Sequence, residues 1–256
     1  MRVARVRNER GDHYVVGRIG IDGAPEWAVV EDPFAEEVLL TGEKIPVDGT
    51  PLLAPVVPKV VIGIAHNKTN NDHHLPMQAW HKSVRSIAGP DDLVPVSGDI
   101  GGINVEGELA VVIGKSAYRL TAENALSAVF GYTIANDVTN VGQVGVDEKF
   151  FHVKSGVNYA PIGPWIETDI SDPDDVAIIV TVNGIVEAES STRSLPSRIA
   201  DCLVYVTSWL ELGPGDIVLT GSPRTFLPTR PGDVVEITLH GIGTLTNTIV
   251  LEASNA

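Results

Sequence analysis

The sequence predicts a mainly β protein of the α+β class: a curled sheet with two main helices and a small N-terminal β appendage. Three observations lead there. Glycine (25) and proline (17) are frequent enough to cut the chain into short strands rather than long helices. Val105-Glu106-Gly107-Glu108-Leu109-Ala110-Val111-Val112-Ile113-Gly114 is an apolar run of strand length, too apolar for a surface element. Helical periodicity is confined to two stretches, one after Thr121 and one after Ser194.

Residues 1–57 read as the appendage. Val3 to Val6, Tyr14 to Ile19 and Trp27 to Glu31 are short strands, separated by Gly11-Asp12 and Asp22-Gly23 turns. Leu52-Leu53-Ala54-Pro55-Val56-Val57-Pro58 is proline-punctuated and reads as a linker, so the main domain is expected over 58–256. That domain opens with the buried strand Lys59 to Ala65, which runs into the polar loop His66-Asn67-Lys68-Thr69-Asn70-Asn71-Asp72-His73-His74. Trp80-His81-Lys82-Ser83 follows, and Gly89-Pro90-Asp91-Asp92 and Gly98-Asp99-Ile100-Gly101-Gly102 are turns that lead to the long apolar strand.

Thr121 is placed to N-cap a short helix with Ala122, Ala125, Leu126 and Val129 on its apolar face. Val176 to Val182 ends at Asn183-Gly184, a type I′ hairpin signal, with Ile185 to Glu189 as the return strand. The second helix starts near Ser194, carries Pro196 in its first turn and stops at Gly213-Pro214-Gly215. Its apolar residues Ile199, Cys202, Leu203, Val206 and Leu210 make a core-facing stripe. Asp216 to Thr220 is a buried strand ending in Gly221-Ser222-Pro223-Arg224. Asp233 to Leu239 and Thr244 to Leu251 are joined by a Gly241-Ile242-Gly243 turn.

Charge and composition narrow the function. A formal charge of −15 and the lack of a basic stripe argue against nucleic-acid binding. Cys202 is the sole cysteine, so an intramolecular disulfide is excluded, and its place on the helical stripe marks it as packing. No apolar run is long enough to span a membrane, and no apolar signal core follows the basic Met1-to-Arg7 segment. The cytoplasm is the expected location.

The chemistry is expected where carboxylates converge. On a strand, residues i and i+2 share a face, so Glu106 and Glu108 point at one spot. Such a pair is also what the wet end of an ordinary strand looks like. A third acid, Asp137, closes a second buried strand, Gly131-Tyr132-Thr133-Ile134-Ala135-Asn136-Asp137-Val138, and shifts the balance towards a cation site. Three carboxylates without a cysteine or histidine cluster suit Mg, Mn or Ca rather than a structural zinc.

In order along the chain, these motifs resemble the fumarylacetoacetate hydrolase family over about residues 58–251. The resemblance runs through the Glu106-to-Gly114 and Gly131-to-Val138 strands, then Lys154-Ser155 with Ala160-Pro161-Ile162-Gly163-Pro164-Trp165. It continues through Val182-Asn183-Gly184, Pro214-Gly215-Asp216-Ile217 with Thr220-Gly221-Ser222-Pro223, and Gly232-Asp233 with Gly241-Ile242-Gly243. It implies a mixed β-roll, a homodimer, and one Mg2+ or Mn2+ per chain held by Glu106, Glu108 and Asp137. It also implies a 2-oxo acid, β-diketo acid or enol as substrate. By the same resemblance Lys154 steadies the developing anion, Ser222 and the Gly221 amide bind a substrate carboxylate, and Lys82 matches the lysine of the family's F-x-K element.

The chain also departs from the family pattern. A water-activating His, with a Glu three residues later, is expected just after the first strand. Here the histidine position falls on Thr69, Asn70 or Asn71 and no Glu follows, leaving His73 or His74 as substitutes. The stretch from His74 to Trp80 is short, which reads as a truncated lid. An arginine and a glutamine expected after Asp137 are replaced by Val141 and Val144, with Gln143 one position off and Arg224 as a stand-in cation. Isomerisation or decarboxylation through a stabilised enolate is therefore expected ahead of C–C hydrolysis of the acylpyruvate type. A non-catalytic binding protein on the same fold is the reading from another class.

Overall fold

The structure, a computed structural model, describes residues 1–20, 23–98 and 101–252. Asp22, Asp99 and Ile100 of two expected turns lie outside the described residues.

The chain begins with a meander of β1 (Arg2–Asn8), β2 (Gly11–Ile19), β3 (Pro25–Val30) and β4 (Leu40–Pro46), then a short β5 (Leu52–Leu53). Next come β6 (Val61–Ala65), β7 (Gln78–His81), β8 (Ile87–Ala88), β9 (Leu93–Val96) and the long β10 (Ile103–Ile113). They are followed by β11 (Val129–Asn136), β12 (Thr139–Asn140), the one-turn helix α1 (Phe151–Lys154) and β13 (Ala160–Glu167). The hairpin of β14 (Ala177–Val182) and β15 (Ile185–Ser191) leads to α2 (Ile199–Thr207). The chain closes with β16 (Ile217–Leu219), β17 (Phe226–Thr229), β18 (Val234–Leu239) and β19 (Gly243–Leu251).

The fold is mainly β, as the sequence predicts, with two α-helices among the described residues. One large mixed sheet has the order β4-β3-β2-β1-β13-β11-β10-β16-β6-β7, and a second sheet has the order β15-β14-β18-β19-β9. The N-terminal meander joins the large sheet directly, because β1 pairs antiparallel with β13 (Val3 opposite Ile166). β5, on the segment read as a linker, pairs with β1.

β10 shows how the sequence divides the core. Val105, Leu109, Val111 and Ile113 face the second sheet and α2, packing with Ile178, Val180, Ile237 and Leu203. The alternate residues Ala110 and Val112 face the opposite way, into a cluster with Val3, Val16, Ile162, Ile166 and Leu219. Both faces of the strand are covered, which is why it is apolar throughout rather than alternating. Glu106 and Glu108 carry the Ala110–Val112 face onward past the end of that cluster.

Two helical expectations are corrected. The Thr121 segment forms only a 3-10 turn at Ala125–Ala128, because Val129 is drawn into the sheet opposite Ile113 and cannot serve a second helical turn. The second helix covers Ile199–Thr207, shorter than the Ser194-to-Gly213 span. Ser194 instead ends a separate 3-10 turn, and at the other end the Thr207 and Ser208 hydroxyls donate to the Leu203 and Tyr205 carbonyls. The stripe itself is as expected, with Ile199, Cys202, Leu203 and Val206 buried. The hairpin also forms at Asn183-Gly184, with positive φ at both residues (51° and 78°).

Candidate active site

Sheet register brings the acids together. β10 lies between β11 and β16, with Gly107 opposite Asn136 and Ala110 opposite Leu219. One step beyond the β11 pairing, the Asp137 amide donates to the Glu106 carbonyl (2.9 Å), so these two side chains stand side by side. Two steps beyond the β16 pairing, Gly221 meets Glu108, and its amide donates to Glu108 Oε2 (2.8 Å). Glu106, Glu108 and Asp137 are all buried, and each offers an oxygen within 4.8 Å of the others.

Gly221 is required at its position. Its φ is +105°, and a Cβ there would lie 2.1 Å from the Asn67 carbonyl oxygen. That close approach locks the turn after β16 against the loop after β6. The Asn67 amide completes the joint by donating to Thr220 O (2.7 Å) and accepting from the Ser197 amide (2.7 Å).

Three lysines enter the cluster from three directions. Lys154, at the end of α1, donates to Asp137 Oδ2, to Glu106 Oε2 (3.3 Å) and to Thr139 Oγ1 (2.6 Å), and lies 4.8 Å from the centre of the Trp80 ring. Asp147 organises the approach to α1 by accepting from the backbone amides of His152 (2.5 Å) and Val153 (3.3 Å). Lys82, just past β7, donates to Asp137 Oδ1 and the Val138 carbonyl (3.1 Å). Lys68 forms an ion pair with Glu106 Oε1 (2.6 Å). Thr139 steadies the arrangement by donating to Glu106 Oε1 (2.7 Å).

The electrostatics follow from burial and these partners. Burial favours a neutral Asp137, but Lys154 and Lys82 outweigh it and hold the carboxyl well below its usual range. Glu106 is likewise held down, against burial, by Lys154 and Lys68. Among the described residues, no lysine is bonded to Glu108. Burial and the neighbouring charges of Asp137 and Glu106 push it up to about 8. Burial lowers Lys82 to about 8 despite Asp137, whereas for Lys154 the attraction of Asp137 and Glu106 overcomes burial and keeps it firmly charged.

The donor set fits a divalent cation. It consists of three hard oxygen ligands, two from one face of β10 and one from just past the end of β11, and a cation among them would relieve the repulsion that raises Glu108.

The other side chains singled out from the sequence make no hydrogen bond or ion pair to the three carboxylates among the described residues. Ser222 is fully buried, and its Oγ has no hydrogen-bond partner among the described residues. His73 and His74 are exposed on the 3-10 turn at Asn70–His74. Arg224 is exposed, and its backbone amide donates to the carbonyls of Lys68 (3.2 Å) and Ser222 (2.7 Å). Gln143 lines a cavity of about 440 Å³ with Asn140, His152, Ser155 and Tyr159, and none of the three carboxylates belongs to its wall.

Lys68, Thr139 and Trp80 are the members of the cluster that the sequence reading did not single out. The signal available for Trp80 was Gly63, where a Cβ would meet the indole ring at 2.4 Å. Cys202 is fully buried and its thiol is pushed up by burial, in keeping with a packing role.

Residues 60–250 match the fumarylacetoacetate (FAA) hydrolase C-terminal family, about three quarters of the chain. The chain belongs to the fumarylacetoacetate hydrolase family. Solved structures agree with this assignment over nearly the whole length. A 5-carboxymethyl-2-hydroxymuconate delta-isomerase from Mycobacterium smegmatis is 34% identical with a TM-score of 0.91, covering 98% of this chain and 100% of that one. A 2-hydroxyhepta-2,4-diene-1,7-dioate isomerase from Mycobacterium marinum is 32% identical with a TM-score of 0.90, covering 99% and 100%. A maleylpyruvate hydrolase from Sphingobium sp. SYK-6, solved with manganese(II) and pyruvate, is 25% identical with a TM-score of 0.79, covering 99% and 100%. The similarity to fumarylacetoacetate hydrolase family enzymes thus spans both isomerases and hydrolases. Among the described residues, no helix is long and apolar enough to cross a membrane.

Proposed function

We propose that this protein is a divalent-metal-dependent enzyme acting on an enolisable 2-oxo or 2-hydroxydienoic acid, by tautomerisation or decarboxylation. The observation that carries this reading is the buried Glu106–Glu108–Asp137 cluster with the Lys154 ammonium bonded to two of its three carboxylates. Glu106, Glu108 and Asp137 would hold Mg2+ or Mn2+, which when bound supplies positive charge to a 2-oxo group and favours its enolate form.

The chain's own residues supply the rest. Lys154 keeps a proton on Nζ and brings positive charge to the developing oxyanion. Lys82 and Thr139 fix Asp137 and Glu106, so the ligand set is ordered before substrate arrives. Trp80 covers Lys154 and excludes water from it. His73 and His74 are exposed and make no hydrogen bond or ion pair to the carboxylates among the described residues, which favours these two reactions over C–C hydrolysis.

A cytoplasmic homodimer belongs to the same reading. The exposed apolar side chains of Val144, Val146, Phe151 and Val157, grouped around the segment that carries Lys154, support a partner copy there.

The test is an assay of Mg2+- and Mn2+-loaded protein against oxaloacetate, acylpyruvates and a 2-hydroxydiene dioate, with an EDTA-treated control. Metal-dependent tautomer shift or CO2 release that survives His73→Ala/His74→Ala is expected. Split products that vanish in that double variant would establish hydrolysis instead. No turnover of any of them, despite metal binding, would favour a binding protein.

A further inference from the structure

The three lysines of the cluster are not equivalent. The Lys82 and Lys154 side chains are 0% and 5% exposed, whereas Lys68 is 27% exposed and touches Glu106 from the solvent side. Its backbone is held on both sides: the Lys68 amide donates to Asp72 Oδ2 (2.9 Å), and its carbonyl accepts from the Arg224 amide (3.2 Å). The preceding residue, Asn67, is fully buried and hydrogen-bonded. The ammonium is therefore presented at the mouth of the site from a fixed loop.

An apolar surface lies beside it. Phe226 stands opposite Glu106 in the β10–β17 pairing, and its ring centre is 5.7 Å from Lys68 Nζ. A ligand reaching the carboxylates from solvent would therefore meet an aromatic face and a cation together.

Charge sets what that ligand should carry. Once the three carboxylates are ionised around a divalent cation, their charges offset that cation and one lysine, leaving two positive charges unmatched. The carboxylate of a 2-oxo acid answers one of them. We propose that Lys68 binds a second carboxylate, at the far end of the substrate, so that the site selects dicarboxylic over monocarboxylic 2-oxo acids. This assignment rests on the functional reading above. Lys68 meanwhile competes with a metal for Glu106, so its removal should leave metal affinity unchanged or higher.

Calorimetric titration of the Mn2+-loaded protein with 2-oxobutyrate and 2-oxoglutarate tests this, because the two share the 2-oxo acid end and only one has a distal carboxylate. Wild type should bind 2-oxoglutarate on the order of 10- to 100-fold more tightly, the range expected for one charged hydrogen bond. Lys68→Met should erase that preference while leaving 2-oxobutyrate affinity in place, and Lys68→Arg should keep it. Mn2+ titration of metal-free Lys68→Met should give an affinity at least equal to wild type. A preference that survives in Lys68→Met, equal weakening of both acids, or lost Mn2+ binding would each overturn the assignment of Lys68 alone. A wild-type protein that binds Mn2+ but neither acid would overturn the functional reading together with it.

Discussion

Asp137 sits between two ammonium groups, Lys82 on one oxygen and Lys154 on the other, with no exposure to solvent. Each partner offsets the cost of burying the carboxylate, so removing one leaves a charge uncompensated. Lys154→Met is therefore expected to destabilise the metal-free protein by about 3–5 kcal/mol. Saturating Mn2+ should restore most of the lost melting temperature, whereas the exposed Lys149→Met should change neither. Thermal melts with and without metal check this, and an unchanged melting temperature for the metal-free Lys154→Met protein would contradict it. In turnover, the same variant should lose on the order of 10²- to 10³-fold in kcat, as expected when a preorganised charge at a developing oxyanion is removed. The three acids were legible in the sequence because strand periodicity sets their direction: two on one face of β10, one at the end of β11. Lys68 was not, because it lies on the loop beyond β6, and Thr139 was not, because β12 is too short to carry a period and only its pairing with β10 brings that hydroxyl to Glu106. His73 and His74 were conspicuous by residue type, yet a short turn carries no period that says which way a side chain points.

At the scale of elements, the site depends on joints between strand ends. The turn after β16 presses on the loop after β6 at Gly221 and Asn67, and its amide positions Glu108. Gly221→Ala is expected to cost at least about 2 kcal/mol through its positive φ and the collision with the Asn67 carbonyl, and to weaken metal binding as well. Denaturant unfolding and a Mn2+ titration of that variant would show both effects, and a stable variant with normal affinity would refute the joint. Leu203→Ala in α2 should cost a comparable or larger amount, about 2–5 kcal/mol, but leave metal affinity unchanged. Strands were easier to place from sequence than helices. Asn183-Gly184 fixes its hairpin through local backbone chemistry alone. The Thr121 segment had helical spacing, but pairing of Val129 with Ile113 is a contact between distant residues that overrides local preference.

For the whole molecule, the decisive feature is a large sheet shared by the N-terminal meander and the strands that carry the site. Val3 and Val16 pack in the same cluster as Ala110, Val112 and Leu219, on the strands that carry and flank Glu106 and Glu108. The full chain is expected to unfold in a single transition, and a fragment beginning at residue 58 should expose that cluster and aggregate. A soluble fragment that binds Mn2+ normally would contradict this. The mainly β class was legible from glycine, proline and apolar runs. The edge-to-edge union of β1 with β13 was not, since no local pattern specifies which strands become neighbours across more than a hundred residues. The sheet delivers three buried carboxylates to one point, and calorimetric titration of the metal-free protein with Mn2+ tests whether they hold a metal. One ion per chain is expected, with binding weakened at least about 100-fold in Glu108→Gln and in Asp137→Asn. Absence of binding, or variants that bind as tightly as wild type, would contradict a metal site at Glu106, Glu108 and Asp137.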